Sequence, residues 1–290
     1  MKVLVTGGSG ALGRWVIREL AGHGYEVVNA DLRPPGSAKD LAHYRETDLT
    51  DVGQVAGALY GCEAVVHLGA IPSPGRHPDE VVFATNTRAT FAVLQAAALL
   101  GVGKAVVASS TAALGTAFAL HPFPPHYVPI DEAHPLLPQD PYALSKEVTE
   151  RTGEAFHRRT GMSVLAYRFH WITQPGEVAA QAATFRARPE LRANELWGYV
   201  DVRDAARACR LGIEAKGLGF EVFNITATDS LSEVATAELV ERYYPGVAFR
   251  QPLEGNLSVW SIAKARRLLA YEPRHSWRLA ERDVGESHER

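Results

Sequence analysis

The 290-residue chain is 46% hydrophobic and 22% charged, ordinary globular usage that excludes a disordered, collagenous or coiled-coil polymer. Thirty Lys+Arg against 33 Asp+Glu leave a formal charge of −3, which carries no electrostatic signature of binding to nucleic acid or to an anionic membrane. Two cysteines, Cys62 and Cys209, are too few for a disulfide framework and lack metal-ligand spacing, so the composition predicts a soluble chain of a reducing compartment with no metal site.

At about 100–200 residues per domain, the length allows one large or two small domains. Val3-Leu4-Val5 is too short for the apolar region of a secretory signal and runs straight into Thr6-Gly7-Gly8-Ser9-Gly10. The longest stretch without Asp, Glu, Lys or Arg, residues 105–130, contains Ser109, Ser110, Thr111, Gly115 and four prolines, which rules it out as a spanning helix. A cytoplasmic protein with no membrane partner is expected.

Short Val- and Leu-rich runs at 2–6, 25–30, 64–68, 105–109, 164–168 and 221–225, with a weaker one near Tyr44, read as strands. Their apolarity is continuous rather than alternating, as in a parallel sheet buried on both faces. Between them lie 12–22, 52–60, 79–100 and 142–160, each long enough for a helical crossover. In the last of these, Leu144, Val148, Thr152, Ala155 and Phe156 recur at helical spacing. The pattern predicts an α/β fold, a Rossmann-type doubly wound parallel sheet.

After Arg168 the pattern changes. Residues 176–196 are Ala- and Arg-rich with no clear strand, and 226–290 read as two or three short helices with one short strand near 247–250. The expected division is a dinucleotide-binding domain from 1–168 plus about 198–226, and a small, mostly helical substrate lobe from about 169–197 plus 227–290. The polar residues 281–290 are expected to fray.

Between the first strand and first helix, Gly7, Gly10 and Gly13 have the spacing G-x-x-G-x-x-G. Glycine there permits a tight turn, backbone approach to a pyrophosphate, and close helix–strand packing. Free N–H groups of residues such as Ala11 and Leu12, with the positive end of the helix dipole, then face the phosphates. Asp31, eighteen residues past Gly13, ends the second strand. Its carboxylate suits the ribose hydroxyls of NAD and repels the 2′-phosphate of NADP, whereas Arg33 could hold that phosphate or stack on adenine. NAD is expected, with NADP as the alternative.

Together with these residues, Asp48-Leu49, His67-Leu68-Gly69-Ala70, Asn86, Ala108-Ser109-Ser110-Thr111, Tyr142-Ala143-Leu144-Ser145-Lys146, Arg168 and Tyr199-Val200-Asp201-Val202-Arg203-Asp204 stand in an order that resembles the extended short-chain dehydrogenase/reductase family, epimerase/dehydratase branch. The resemblance implies an enzyme. It assigns catalysis to Ser110, Tyr142 and Lys146, with Tyr142 and Lys146 also touching the cofactor. It places adenine against Asp48 and Leu49, the adenosine and pyrophosphate along Leu68, Gly69 and Ala70, and further cofactor contacts at Asn86 and His170. Counting back five from Gly115, as the family motif does, selects Ser110 over its neighbours, and backbone capping is the competing role for Ser109 and Thr111. Asp201, Arg203 and Asp204 are expected to form a structural cluster, and Asp131 and Glu132 to lie in a solvated loop.

Tyr142 and Lys146 also make sense without the family, since residues four apart share one helix face. A phenol with an ordinary pKa near ~10 is a poor base at neutral pH, and an adjacent ammonium lowers that pKa and fits Tyr142 for acid–base work.

Nucleotide-sugar epimerases of the family carry an Asn where Trp171 stands, and a longer insertion with an Arg that grips the diphosphate. Here only 169–196 separate Arg168 from Trp197, too little for that arrangement. The shortened lobe resembles the uronate dehydrogenase branch, in which an Arg five residues before a Trp pairs with the substrate carboxylate, as Arg192 stands before Trp197. Arg186, Arg188 and Arg192 otherwise read as a solvated face. Ser73, Ser110, Thr111 and Arg192 form the expected substrate set.

The expected function is an NAD-dependent oxidoreductase that transfers hydride from a hydroxyl of a sugar, sugar acid or similar small polyol. A nucleotide-sugar 4-epimerase or dehydratase is the alternative, and a non-catalytic NAD(P)-sensing regulator the third reading. The family further implies a homodimer through helices 79–100 and 142–160, which the apolar Phe91, Leu94, Ala98 and Leu99 permit.

Overall fold

The computed structural model describes residues 1–36, 41–177, 183–185 and 187–278. Seven strands form the main sheet: β1 (Lys2–Thr6), β2 (Glu26–Asp31), β3 (His43–Glu46), β4 (Ala64–His67), β5 (Lys104–Ser110), β7 (Ser163–Phe169) and β10 (Phe220–Ile225). All pair in parallel, in the order β10-β7-β5-β4-β1-β2-β3. This is the expected Rossmann-type α/β sheet, and each strand lies within one or two residues of the apolar run that signalled it.

Continuous apolarity has the cause expected of a sheet covered on both sides. Val3 and Val5 point into one core with Val16, Ile17 and Leu20 of α1 (Gly13–Gly22), while Leu4 points into the other. The second core contains Val55 of α2 (Val52–Leu59), Val93 and Leu94 of α3 (Asp79–Leu99), and Phe156 of α4 (Pro141–Thr160). Helix α5 (Val202–Glu214) joins α1 on the first face and buries Ala205, Ala208 and Cys209. From β1 the chain winds outward to β2 and β3 on one side and then to β4, β5, β7 and β10 on the other, and this switch in strand order opens a crevice at the carboxyl ends of the strands.

Further short elements come from the segments after β5, β7 and β10, and the last of them adds Ala265 and Leu269 to the first core. They are β6 (Tyr127–Val128), β8 (Ile172–Thr173), a 3₁₀ turn (Pro189–Glu195), β9 (Val200–Asp201), α6 (Thr236–Tyr243), β11 (Ala248–Phe249) and α7 (Ala263–Leu269). The short strand foreseen near 247–250 is β11, paired in parallel with β6. A separate core holds Trp197, Leu239, Val240, Val259 and Trp260, and Leu114, Val128 and Ile130 from the segment after β5 pack into it.

Two surfaces differ from the sequence pattern. On α4 the buried face is Tyr142, Ser145, Lys146, Thr149, Glu150, Gly153 and Phe156, while Leu144 is 42% exposed and Ala155 is exposed. The helix turns its polar, chemistry-bearing side inward because the strand ends and α3 supply partners there. On α3, Leu94 is fully buried in the core, while Phe91 and Leu99, with Val81 near the start of the helix, are exposed to solvent. Arg186 and residues 281–290 lie outside the described residues. Among those described, no helix is long and apolar enough to cross a membrane, and no group of three or more His, Cys, Asp or Glu could hold a metal.

Candidate active site

The turn from β1 into α1 is shaped by two close approaches. Gly7 has φ +66°, and a Cβ there would sit 2.7 Å from the Gly69 Cα. A Cβ on Gly13 would sit 2.2 Å from the Gly7 carbonyl oxygen. Gly7, Gly10, Ala11, Leu12 and Gly13 all line one large cavity in the crevice, about 1090 Å³ in volume. The first turn of α1 carries no acidic residue and no side-chain cap, so the helix's own side chains do not neutralise its positive end.

Asp31 closes β2 beside this turn. Its Oδ2 accepts the Ser9 N–H at 3.1 Å and its Oδ1 the Arg33 N–H at 3.0 Å, while the Arg33 side chain stands exposed on the same rim. Asp48 Oδ1 accepts both the backbone N–H and the hydroxyl of Thr50, at 2.9 and 2.8 Å. Leu49 packs on Gly69, where an added Cβ would come within 2.1 Å of its Cδ1. Asp31, Arg33, Asp48, Leu49, Leu68, Gly69 and Ala70 thus share the cavity wall with the glycine turn. A free anchor for phosphates, a carboxylate at ribose range and an apolar shelf at Leu49 fit a dinucleotide.

Asn86 differs from the expectation of a direct cofactor contact. Its amide is committed to the backbone N–H and C=O of Ile71, at 2.8 and 3.1 Å, and to Ser145 Oγ at 3.1 Å. Buried and off the cavity wall, it pins the 69–72 segment to α4 and acts as a positioning residue. His67 does similar work one strand end away: its ring nitrogens lie 2.7 Å from Thr6 Oγ1 and 3.3 Å from Thr90 Oγ1. Burial holds His67 near a pKa of about 3.

Ser110, at the carboxyl end of β5, and Tyr142 and Lys146, on the first turns of α4, meet at the centre of the cavity. Ser110 Oγ accepts the Ala112 N–H at 3.1 Å and hydrogen-bonds the Tyr142 phenol. The Lys146 ammonium donates to the Ala108 carbonyl at 2.8 Å and stands 5.5 Å from the centre of the Tyr142 ring. Asp140 caps α4 by accepting the Ala143 N–H at 2.9 Å, which fixes where this helix starts. Burial, more than any charge, governs both groups. It raises the Tyr142 pKa above its ordinary value, with the Ser110 hydrogen bond pulling down, and it depresses Lys146 to about 8. Burial thus holds the Tyr142 pKa above its ordinary value, opposite to the lowering expected from Lys146.

Ser109 and Thr111 line the cavity too, and both hydroxyls are occupied: Ser109 donates to Glu150 Oε1 at 2.7 Å and Thr111 to the Phe169 carbonyl at 3.4 Å. His170 also lines it. Its Nδ1 accepts the Trp171 N–H at 2.7 Å and its Nε2 donates to the Glu195 carbonyl at 2.8 Å, an arrangement that assigns the neutral Nε2–H tautomer. Burial depresses its pKa to about 3.

The same cavity wall includes Ser73 and Arg192, together with Trp171, noted in the sequence only as a departure from the epimerases, and Glu195, which had no signal there. Arg192 is a buried side chain, stacked 4.1 Å over Trp171, unlike exposed Arg188, which pairs with Glu190 at 3.1 Å. Outside the cavity wall, Asp201 takes Arg203 in a two-pronged pair at 2.8 Å and Asp204 accepts the Arg274 and His275 N–H groups, as a structural cluster should. Glu132 departs from its solvated-loop reading: its Oε1 accepts the Asn224 N–H at 2.9 Å, and burial raises its pKa.

A glycine turn on the first strand, an acid ending the second, and a Ser–Tyr–Lys set on the same cavity wall together define a nicotinamide-dependent enzyme on a dinucleotide-binding sheet. The chain belongs to the NAD dependent epimerase/dehydratase family, whose model matches residues 3–226, and NAD is its cofactor. It is similar over most of its length to a UDP-glucose 4-epimerase of Corynebacterium glutamicum, 25% identical, with 95% of this chain and 92% of the relative covered. A short-chain dehydrogenase/reductase superfamily protein from Agrobacterium tumefaciens, solved with bound NAD, matches with a TM-score of 0.72 at 22% identity over 100% of both chains. A mutated uronate dehydrogenase matches with a TM-score of 0.70 at 21% identity, covering 98% of this chain and 86% of that one. These two structures share the fold.

Proposed function

We propose that the protein is an NAD-dependent oxidoreductase acting on a hydroxyl of a free sugar, sugar acid or similar small polyol. The observation that carries this reading is the convergence of Ser110, Tyr142 and Lys146 on the same cavity wall as Gly7, Gly13 and Asp31. NAD, when bound, supplies the acceptor for the hydride of the substrate carbinol. Gly7 to Gly13 hold its phosphates, Asp31 its adenosine ribose, and Leu49 with Leu68 its adenine side.

Ser110 Oγ and Tyr142 Oη orient the substrate hydroxyl between them. Tyr142, as the phenolate that the Lys146 ammonium stabilises, takes the hydroxyl proton on Oη and becomes the phenol. Neutral His170 walls the far side of the reacting carbon and, by its bond to Glu195, connects it to the substrate end. Ser73, Thr111 and Arg192 contact the rest of the substrate.

Mixing the protein with NAD and a panel of aldoses and uronic acids, then following absorbance of the reduced nicotinamide, tests the reading. Reduction with at least one free sugar is expected. Turnover of a nucleotide sugar without any such reduction would instead establish the 4-epimerase or dehydratase alternative, which the Corynebacterium relative favours. A regulator is the third reading, opposed by the retained Ser–Tyr–Lys set. The same proposal includes a cytoplasmic location and a homodimer formed through the exposed face of α3 and α4.

A further inference from the structure

Arg192 and Glu195 sit on the single 3₁₀ turn Pro189–Glu195, at the end of the cavity away from the glycine turn. Arg192 Nη1 donates to Glu195 Oε1 at 3.0 Å. Nη2 lies 2.9 Å from Oε2, close enough to pair by charge. Yet Nη2 and Nε, both buried, make no hydrogen bond among the described residues. The guanidinium is lodged between two rings, 4.1 Å from the centre of Trp171 and 4.9 Å from that of Phe185. Glu195 is held from behind by the His170 bond to its carbonyl. The side chains are 12% and 23% exposed, so neither can swing into bulk water without dismantling this arrangement.

We infer, on the oxidoreductase reading above, that Glu195 is a specificity-determining residue: the Arg192–Glu195 pair presents a neutral donor–acceptor edge that takes the adjacent hydroxyls of an uncharged sugar or polyol and turns a sugar acid away. A lone arginine here would attract a substrate carboxylate. This one already has a carboxylate, and a second would stand beside Glu195 in a half-buried, weakly screened site, where like charges repel strongly. A vicinal diol suits the edge instead. Its hydroxyl protons go to the Glu195 oxygens, and it brings no second negative charge to the pair. Arg76 and His77 also line this cavity, but both are exposed, where water and salt screen their pull on an anion.

The test compares each aldose of a panel with its own uronic acid, on the NAD-loaded protein, by calorimetry and by kcat/KM for nicotinamide reduction. The wild type should favour the aldose at least tenfold in both readouts. Glu195→Gln should move that ratio at least tenfold toward the acid by releasing the Arg192 charge. Arg192→Gln combined with Glu195→Gln should return the preference to the aldose. A wild-type preference for the acid, or a ratio unmoved in Glu195→Gln, overturns the inference. The wild-type ratio decides alone should Glu195→Gln fail to fold. Absence of hydride transfer from any sugar would sink the oxidoreductase reading while the calorimetric ratio still decides on Glu195, and binding of no sugar at all would count against both.

Discussion

Arg168 grips Glu150 with two hydrogen bonds of 2.8 Å, from Nε and Nη2, in a site where both side chains are 7% exposed. The pair ties β7 to α4, and Ser109 Oγ brings in β5 by donating to the same carboxylate at 2.7 Å. The strand that ends in Ser110 and the helix that carries Tyr142 and Lys146 are therefore locked together just below the reacting groups.

Removing one partner leaves a buried charge without compensation. Glu150→Ala should lower unfolding stability by about 3–5 kcal/mol, read from urea denaturation, whereas Glu150→Leu with Arg168→Leu should lose much less. Equal losses in the single and double variants would show that the pair contributes through packing alone.

Tyr142→Phe removes the group that moves the proton and leaves the cofactor wall intact. The variant should lose roughly 10²–10⁴-fold in kcat while its NAD affinity stays within about twofold. Full activity in this variant, with NAD bound, overturns the mechanism.

Lys146 should be costly to stability. Its pKa falls from the ordinary lysine value to about 8 through burial, so below about pH 8 the folded protein holds a charge it would rather release. That penalty is complete below pH 8 and disappears as pH rises toward the unfolded value near ~10.4. Lys146→Met should therefore gain stability at pH 7, by an amount on the order of 3 kcal/mol, lose the gain at pH 10, and lose activity throughout. Denaturation midpoints at the two pH values provide the check.

His67 and His170 act in the acid range. Each has its pKa depressed to about 3 by burial, below the unfolded value near ~6.5. Their contribution is fully present above the unfolded value, and it drains as pH falls from there toward 3, at about 1.4 kcal/mol per pH unit for each. Melting temperature should fall between pH 6.5 and 5, and His67→Gln should make that fall shallower; an unchanged slope would exclude His67 as a source.

Phe91 and Leu144 test the homodimer. Both are exposed apolar side chains, at 50% and 42%, on the outer faces of α3 and α4. Changing both to Glu should convert a dimer to a monomer in light scattering without lowering the melting temperature of the monomeric fold. A wild type that scatters as a monomer excludes this interface.

Where a signal is local, the chain states it openly. A strand buried on both faces must be apolar throughout, so β1, β4 and β5 were legible as runs. The glycine turn was legible because each Cβ it omits would strike neighbouring backbone, and Tyr142 and Lys146 because four residues on a helix return to one face. Asp31 was legible from its place eighteen residues past Gly13 at the end of the second strand, and the family motif then supplied Ser110. Asn86 was located but its role was not, since its partners, Ile71 and Ser145, are remote in sequence. The stripe through Leu144 and Val148 misdirected for a similar reason: the polar side of α4 faces inward only because α3 and the ends of β5 and β7 meet it there.

The sequence by itself thus determined the sheet, the dinucleotide turn and the proton-transfer set, all of which rest on short-range periodicity and spacing. Tertiary structure alone decided the electrostatics of the site. It buried Lys146 and Tyr142, so that desolvation shifts both pKa values, and it turned Arg192 from one arginine on an Ala-rich stretch into a stacked group paired with Glu195 on the cavity wall. Those outcomes depend on what surrounds a charge in three dimensions, and no spacing along the chain encodes that.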